Sequence, residues 1–328
     1  MGDVAMTVPV LRALVAQNPD VKITVVSRVF YKPIFKNIPN INFFTAHVHH
    51  RHKGLLGLFR LYKDLKSKGI TEIADLHNVL RSKIIRTLFS ISGIKTASVD
   101  KGRAEKTSLT RAKNKILKPL PTMFERYANV FENLGFSLDL SNPVFPPKQK
   151  LDTEIVDLIG ENFVKLIGIA PFAQYNSKVY PLDLMQEVID QLASTKTNKI
   201  LLFGGGKKEI ELLRSLSKGK ENVVIVAGQL KFKQELQLIS NLDVMLSMDS
   251  GNAHLAAMLG VKVITLWGAT HPYSGFSPFN QPIENALVSD RNLYPKLPTS
   301  VYGNKKVAGY EDAMRTISVE EIVSKILV

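Results

Sequence analysis

The chain of 328 residues contains no cysteine and a single tryptophan. The missing thiols exclude disulfides, thiolate metal sites and a cysteine nucleophile, and they suit a reducing compartment. No run reaches the ~18 consecutive apolar residues of a spanning helix, which argues against an integral membrane protein. Met1-Gly2-Asp3 lacks the basic and apolar stretches of a secretory signal, so the expected location is cytoplasmic. No tandem repeat, low-complexity tract, P-loop or G-x-G-x-x-G is present, which removes the usual signatures of an ATPase or a nicotinamide dehydrogenase. Acidic residues are scarce in one half only. Residues 1–150 hold 25 basic and 10 acidic side chains, whereas residues 151–328 hold 18 and 19. The net charge of +14 therefore reads as a property of the first half. It calls for an anionic partner there: nucleic acid, a membrane surface or a phosphorylated substrate.

What is present is an ordinary globular composition, 45% hydrophobic and 22% charged, at a length that suits two domains. Short apolar strands alternate with longer amphipathic segments. In the first half Val21–Val26, Ile41–Thr45 and Ile70–Leu76 read as strands, with helices over Thr7–Ala16, Leu55–Lys68, Leu80–Ser92 and Met123–Leu134. In the second, strands are expected over Lys165–Ala170, Lys199–Phe203, Val223–Ala227, Asp243–Ser247 and Lys262–Trp267. Helices are expected between them over Leu182–Ser194, Lys207–Leu216, Phe232–Asn241 and Asn252–Leu259, with Ser318–Leu327 last. Repeated strand–helix alternation predicts an α/β protein with two doubly wound parallel sheets. Proline-rich, basic Asn142–Lys150 reads as the linker, giving domains over 1–145 and 151–328. The first helix follows directly on Gly2-Asp3, where a doubly wound domain usually places a strand first, so a strand missing upstream is the expectation.

Chemistry concentrates in the second half. Strand Asp243–Ser247 runs into Asp249-Ser250-Gly251 and at once into a helix carrying His254. A glycine at a strand's carboxyl end admits a phosphate to backbone amides, and the helix behind adds free N–H groups and a partial positive charge. Ser250 could equally be a helix cap, Asp249 a cap or a ligand for sugar hydroxyls, and His254 a structural residue. The loop after Lys165–Ala170 holds Ser177 and Lys178, and a lysine placed there can neutralise a phosphate. Gly204-Gly205-Gly206 is a weaker candidate loop. His47–Lys53 carries four histidines without an acidic neighbour and reads as a flexible basic loop, since histidine metal sites usually recruit other ligands. Lys95–Lys118 is a second basic run.

These segments together resemble the glycosyltransferase family that contains the bacterial lipopolysaccharide heptosyltransferases. Asp249–Lys262 is similar to its D-S/T-G-x-x-H-x-A-A-x-x-G-x-P pattern, with Lys262 in place of the proline. Gly2–Leu14 resembles its opening G-D-x-x-x-T-x-P segment, Asp75–Ser82 its D-x-H-x-x-x-R-S segment, and Phe124–Gly135 the helix closing its first domain. The resemblance implies a GT-B fold with a cleft between an acceptor domain and a donor domain, and a last helix that can return to the first domain. It implies an inverting transfer of heptose from ADP-heptose to the inner core of lipopolysaccharide. Asp3 would be the general base and Lys178 the stabiliser of the departing diphosphate. Ser177, Ser250 and Gly251 would contact phosphate, Asp249 the donor sugar, and His254 would share that site. Arg51, Lys53, His77, Arg81, Lys113 and Lys115 are candidate ligands of the anionic acceptor. No metal or other cofactor is expected. The expected partners are the nucleotide-sugar, the lipopolysaccharide core and lipid A, and, transiently, the inner face of the cytoplasmic membrane. Nucleic acid is not expected, because no recognition motif accompanies the charge. The open alternatives are another nucleotide-sugar or glycan acceptor, a basic nucleic-acid-binding protein and an inactive relative.

Overall fold

A computed structural model describes residues 1–328. The chain divides into two compact units. The first comprises Met1, Asp3–Gly102 and Thr122–Val144; the second comprises Gly2, Arg103–Pro121 and Phe145–Val328. The strands in chain order are β1 Ile23–Ser27, β2 Ile41–Thr45, β3 Glu72–Asp75, β4 Lys95–Ser98, β5 Lys165–Ala170, β6 Asn198–Leu202, β7 Val223–Ile225, β8 Val244–Met248, β9 Lys262–Trp267 and β10 Ala286–Val288. The helices are α1 Gly2–Ala5, α2 Thr7–Gln17, α3 Gly54–Lys66, α4 Leu80–Ile91, α5 Arg103–Thr110, α6 Met123–Leu134, α7 Thr153–Ile159, α8 Leu182–Ser194, α9 Gly206–Ser217, α10 Phe232–Ile239, α11 Gly251–Ala257 and α12 Val319–Leu327.

The second unit is built on one six-stranded sheet of order β10-β9-β8-β5-β6-β7, parallel throughout. Its central strands are runs such as VMLSM, buried at every residue, as a sheet covered on both faces requires. Gly168 lies mid-strand in β5 because a Cβ there would stand 2.6 Å from Leu242 and 3.1 Å from Met245. The resemblance allowed α12 to return to the first domain. It closes the second unit's own core instead, with Ile322 and Ile326 fully buried. Lys165 donates to the carbonyl of Ile326 at 2.7 Å and Lys262 to that of Lys325 at 2.8 Å. The lysine that departs from the family's proline thus ties down the last helix.

In the first unit four parallel strands form two separate pairs, β1 with β2 and β3 with β4. Their side chains are mostly half-buried. Its clearest helix is α6. Thr122 caps the start, accepting from the Glu125 amide at 3.1 Å while Glu125 returns a bond from the Thr122 amide, and Gly135 ends it at φ 104°.

Three expectations change. Residues 103–121, expected in the first domain, belong to the second unit. There the Leu120 amide bonds the Tyr273 carbonyl at 3.0 Å, and Lys106 stands 4.2 Å over the Phe276 ring. The charge asymmetry goes with them. Counted by unit, the first carries 17 basic and 9 acidic residues and the second 26 and 20, so both are cationic. The expected linker is also anchored, since Phe145 packs edge-on to Phe279 and Gln149 accepts from Asn241 at 2.8 Å.

Candidate active site

In a sheet of this order the connections from β5 and β8 lead away in opposite directions, which opens a crevice at the carboxyl ends of those strands. The chain places Lys178 after β5 and Asp249-Ser250-Gly251 after β8. The two meet there. The Lys178 ammonium donates to the Asp249 carbonyl at 2.6 Å and to its Oδ2 at 3.1 Å. Both side chains are largely buried, so the pair is weakly screened. An ammonium has three N–H donors, and these bonds engage two of them.

Ser250 occupies the N-cap position of α11 without capping it. Its hydroxyl lies 3.1 Å from that of Ser247, so the first amides of α11 have no side-chain cap. His254 is buried on α11. Gly2 packs against it so closely that a Cβ would stand 3.1 Å from the imidazole Cδ2.

Two further loops complete the site. After β9, the Ala269 amide donates to the Ser177 carbonyl at 3.0 Å. A Cβ on Gly268 would collide with that same carbonyl. Ser177 Oγ donates to the Gly303 carbonyl at 2.6 Å. Gly303 has φ +82°, and a Cβ there would fall 2.6 Å from Cγ of Lys178. Its turn is closed by Ser300, whose hydroxyl accepts from the Gly303 amide at 2.9 Å and donates to Asn304 at 3.0 Å. Gly268 was legible in the sequence as the glycine that ends strand Lys262–Trp267, but sequence reasoning missed Ser300 and Gly303, which lie in a stretch with no periodicity.

Beside this site a cationic cluster holds residues 103–121 in place. Lys115 donates to the carbonyls of Lys296 at 2.8 Å and Pro298 at 2.5 Å. Burial, then the Arg291 charge, brings its ammonium down to about 8. Burial, then Arg291 and Lys115, brings His271 down to about 4, so its imidazole is neutral at pH 7, and Nδ1 accepts from the Tyr273 amide at 3.1 Å.

The donor-side candidates Ser177, Lys178, Asp249, Ser250, Gly251 and His254 therefore all lie in the second unit, on the loops and helix that follow the carboxyl ends of β5 and β8. The acceptor candidates are divided between the two units. Arg51 is engaged, pairing bidentately with Asp64 at 2.8 and 3.0 Å. That hydrogen bond, with a second from His52, holds the Asp64 carboxyl down to about 2. The histidine run is not the free loop expected. His52 is buried, accepting from the His47 amide at Nδ1 and meeting Asp64 at Nε2. Lys53 is exposed at the start of α3, His77 beyond β3 and Arg81 on α4. Lys113 is exposed and Lys115 engaged, both in the second unit. Asp3 is exposed in the first turn of α1. Burial, and then the Asp3 charge, push up the Tyr127 phenol in the same unit.

A family model described as glycosyltransferase family 9 (heptosyltransferase) matches residues 58–306. A lipopolysaccharide core heptosyltransferase of Haemophilus influenzae, OpsX, is 24% identical over 339 residues, covering 99% of this chain and 93% of that protein. Among solved structures, a glycosyl transferase family 9 protein of Veillonella parvula superposes with a TM-score of 0.73 at 20% identity, covering 99% of this chain and 94% of the other. The E. coli ADP-heptose lipopolysaccharide heptosyltransferase II gives 0.68 at 19% identity, with the same coverage. The fold is GT-B.

Proposed function

Because the chain belongs to glycosyltransferase family 9 and is a glycosyltransferase, we propose that it moves heptose from ADP-heptose to the inner core of lipopolysaccharide, with inversion at the anomeric carbon. The observation that carries the donor side of this reading is the Lys178–Asp249 pair at the point where the strand order reverses. The relatives support the substrates: the Haemophilus protein is a lipopolysaccharide core enzyme, and the E. coli structure is described by its ADP-heptose donor.

The chemistry is a single displacement. The acceptor hydroxyl attacks the anomeric carbon, and its proton passes to the Asp3 carboxylate. The bond from that carbon to the β-phosphate oxygen breaks, and ADP leaves with the electron pair. Lys178, with the amides that open α11, meets the charge developing on the diphosphate. When donor binds, Lys178 keeps the Asp249 carbonyl and turns its remaining donors to phosphate, releasing the Asp249 carboxylate to accept from sugar hydroxyls. Ser177 holds the loop that carries the lysine, and His254, close against Gly2, shares the site. In this reading the cations answer the leaving charge and no metal cofactor takes part. Lys53, His77, Arg81 and Lys113 are the exposed candidates for acceptor phosphates, while Arg51 and Lys115 are candidates already engaged, with Asp64 and with the Lys296 and Pro298 carbonyls.

No helix is long and apolar enough to cross a membrane. We place the enzyme at the cytoplasmic face of the inner membrane, where a lipid-linked acceptor would be presented.

The deciding experiment measures ADP release with ADP-heptose and a panel of core acceptors, alongside other nucleotide-sugars. Release that depends on both ADP-heptose and an inner-core acceptor is expected, with the product anomer inverted by NMR. Turnover confined to another nucleotide-sugar, or retention of configuration, would refute the reading.

A further inference from the structure

Helix α3, GLLGLFRLYKDLK, is apolar on two faces where a surface helix needs one. Leu58, Leu61, Tyr62 and Leu65 recur at three- and four-residue spacing and are buried against Phe89. That face accounts for the helix's place in the fold. It leaves Leu55 74% exposed, Leu56 76% and Phe59 45%, three large apolar side chains within about a turn and a half.

Charge surrounds this patch, and it has one sign. Lys53 precedes it, Arg60 and Lys63 follow on the outward side, and the Lys63 ammonium sits 4.9 Å over the Phe59 ring. The one acid of the helix, Asp64, is already paired with Arg51 and His52, so it does not cancel these cations. The neighbouring strand supplies more of the same. β1 and β2 run parallel in register, Ser27 opposite Thr45, so the segments leaving them start from the same sheet edge. The β1 side carries Val29, 62% exposed, beside Arg28 and Lys32.

We propose that the outward face of α3, with Leu55, Leu56 and Phe59 bordered by Lys53, Arg60 and Lys63, docks on an anionic bilayer. The apolar side chains enter the headgroup–acyl boundary while the cations meet lipid phosphates. This rests on the reading that the acceptor is lipid-linked, and names the element that holds the enzyme at that surface. A second copy of the chain suits the face poorly, because a two-fold contact would set these cations against their own equivalents. An anionic bilayer supplies both features the patch needs, negative charge at the surface and an apolar layer beneath.

The test needs no substrate. The full chain is sedimented with phosphatidylcholine vesicles containing about 30 mol% phosphatidylglycerol and with pure phosphatidylcholine vesicles. Wild type should partition to the anionic vesicles at least about tenfold better. Replacing Leu55, Leu56 and Phe59 by serine should remove at least about tenfold of that binding, with turnover on a lipid-free core acceptor within about twofold of wild type. A Phe59→Trp variant keeps the face apolar and gives a second readout should the serine variant not fold. Its emission should shift to the blue on anionic vesicles. Equal sedimentation of wild type and the folded serine variant, or unmoved Phe59→Trp emission, overturns the proposal. So does a dimer that the serine variant dissociates, which would make the occupant a second copy. Lost turnover on the lipid-free acceptor would reassign the face to acceptor binding. Vesicle binding in a protein that never turns over ADP-heptose would leave the docking face standing and refute the reaction instead.

Discussion

The two units use the same strand–helix grammar to different ends. In the second, six parallel strands share one sheet, and the central ones are buried at nearly every residue. In the first, four strands form two pairs with half-buried side chains, and each of β1 and β3 has a strand on one side only. Continuous burial fixes the carboxyl ends of β5, β8 and β9, so loops leaving them can be held at hydrogen-bond precision. Every donor-side candidate stands on such a loop or on the helix it enters. The first unit instead presents exposed groups: Asp3, Lys53, His77 and Arg81. A diphosphate asks for fixed donors, because catalysis rests on preorganised charge. An extended anionic glycan can be met by scattered cations on long side chains.

The sharpest break of this comparison separates chemistry from donor binding. Asp3→Asn should lower kcat by about a thousandfold or more, since the amide cannot take the proton, while ADP-heptose affinity by calorimetry stays within about twofold. Lys178→Met should cost about a hundredfold in kcat and also weaken ADP binding, because that charge acts on the phosphates before and during bond breaking. If Asp3→Asn lost donor affinity and Lys178→Met kept it, the division of labour between the units would be reversed.

The donor side was the more legible in sequence for the same physical reason. Buried strands must be apolar, so Lys165–Ala170 and Lys262–Trp267 could be read to the residue, and the loop lysine after the first and the glycine turn after the second point to the site. β4 was not legible: KTAS is short, polar and embedded in a basic run. The same run hid α5, whose buried residues include Lys106, a residue type that periodicity counts as polar. The reading therefore gave residues 103–121 to the wrong unit, and the charge with them. Gly303 escaped because its importance lies in a contact with Ser177 made across 126 residues of chain, and Ser300 because it acts only by holding the turn of Gly303, neither of which a local pattern records.

A smaller effect tests the packing half of the comparison. Leu246→Ala in β8 removes a fully buried side chain and should cost about 3 kcal/mol. Ile73→Ala in β3 removes one only partly buried and should cost about 1 kcal/mol. Hydrogen exchange reads both, with β5 and β8 amides the slowest in the molecule and β1 and β3 opening earlier. Equal protection in the two units would mean that the exposed strand edges of the first do not weaken it.

The smallest effect isolates the contact between Gly303 and Lys178. Gly303 and Gly309 both have positive φ, +82° and +77°. Alanine at either should cost about 1 kcal/mol for the left-handed backbone alone. At Gly309 nothing lies within 4 Å of the added Cβ, so stability should fall slightly and kcat should hold. At Gly303 the Cβ would stand 2.6 Å from the Lys178 side chain, which must shift to make room and so disturb its bonds to Asp249. Since a displacement of about 1 Å at a catalytic group can cost on the order of a hundredfold, kcat should drop by tenfold or more with only a modest loss in melting temperature. Matching kinetics in the two variants would show that the 300–304 turn merely borders the lysine. Unequal kinetics at equal stability would show that the turn sets its position, a role the second unit's buried sheet makes possible and the first unit's exposed edges do not.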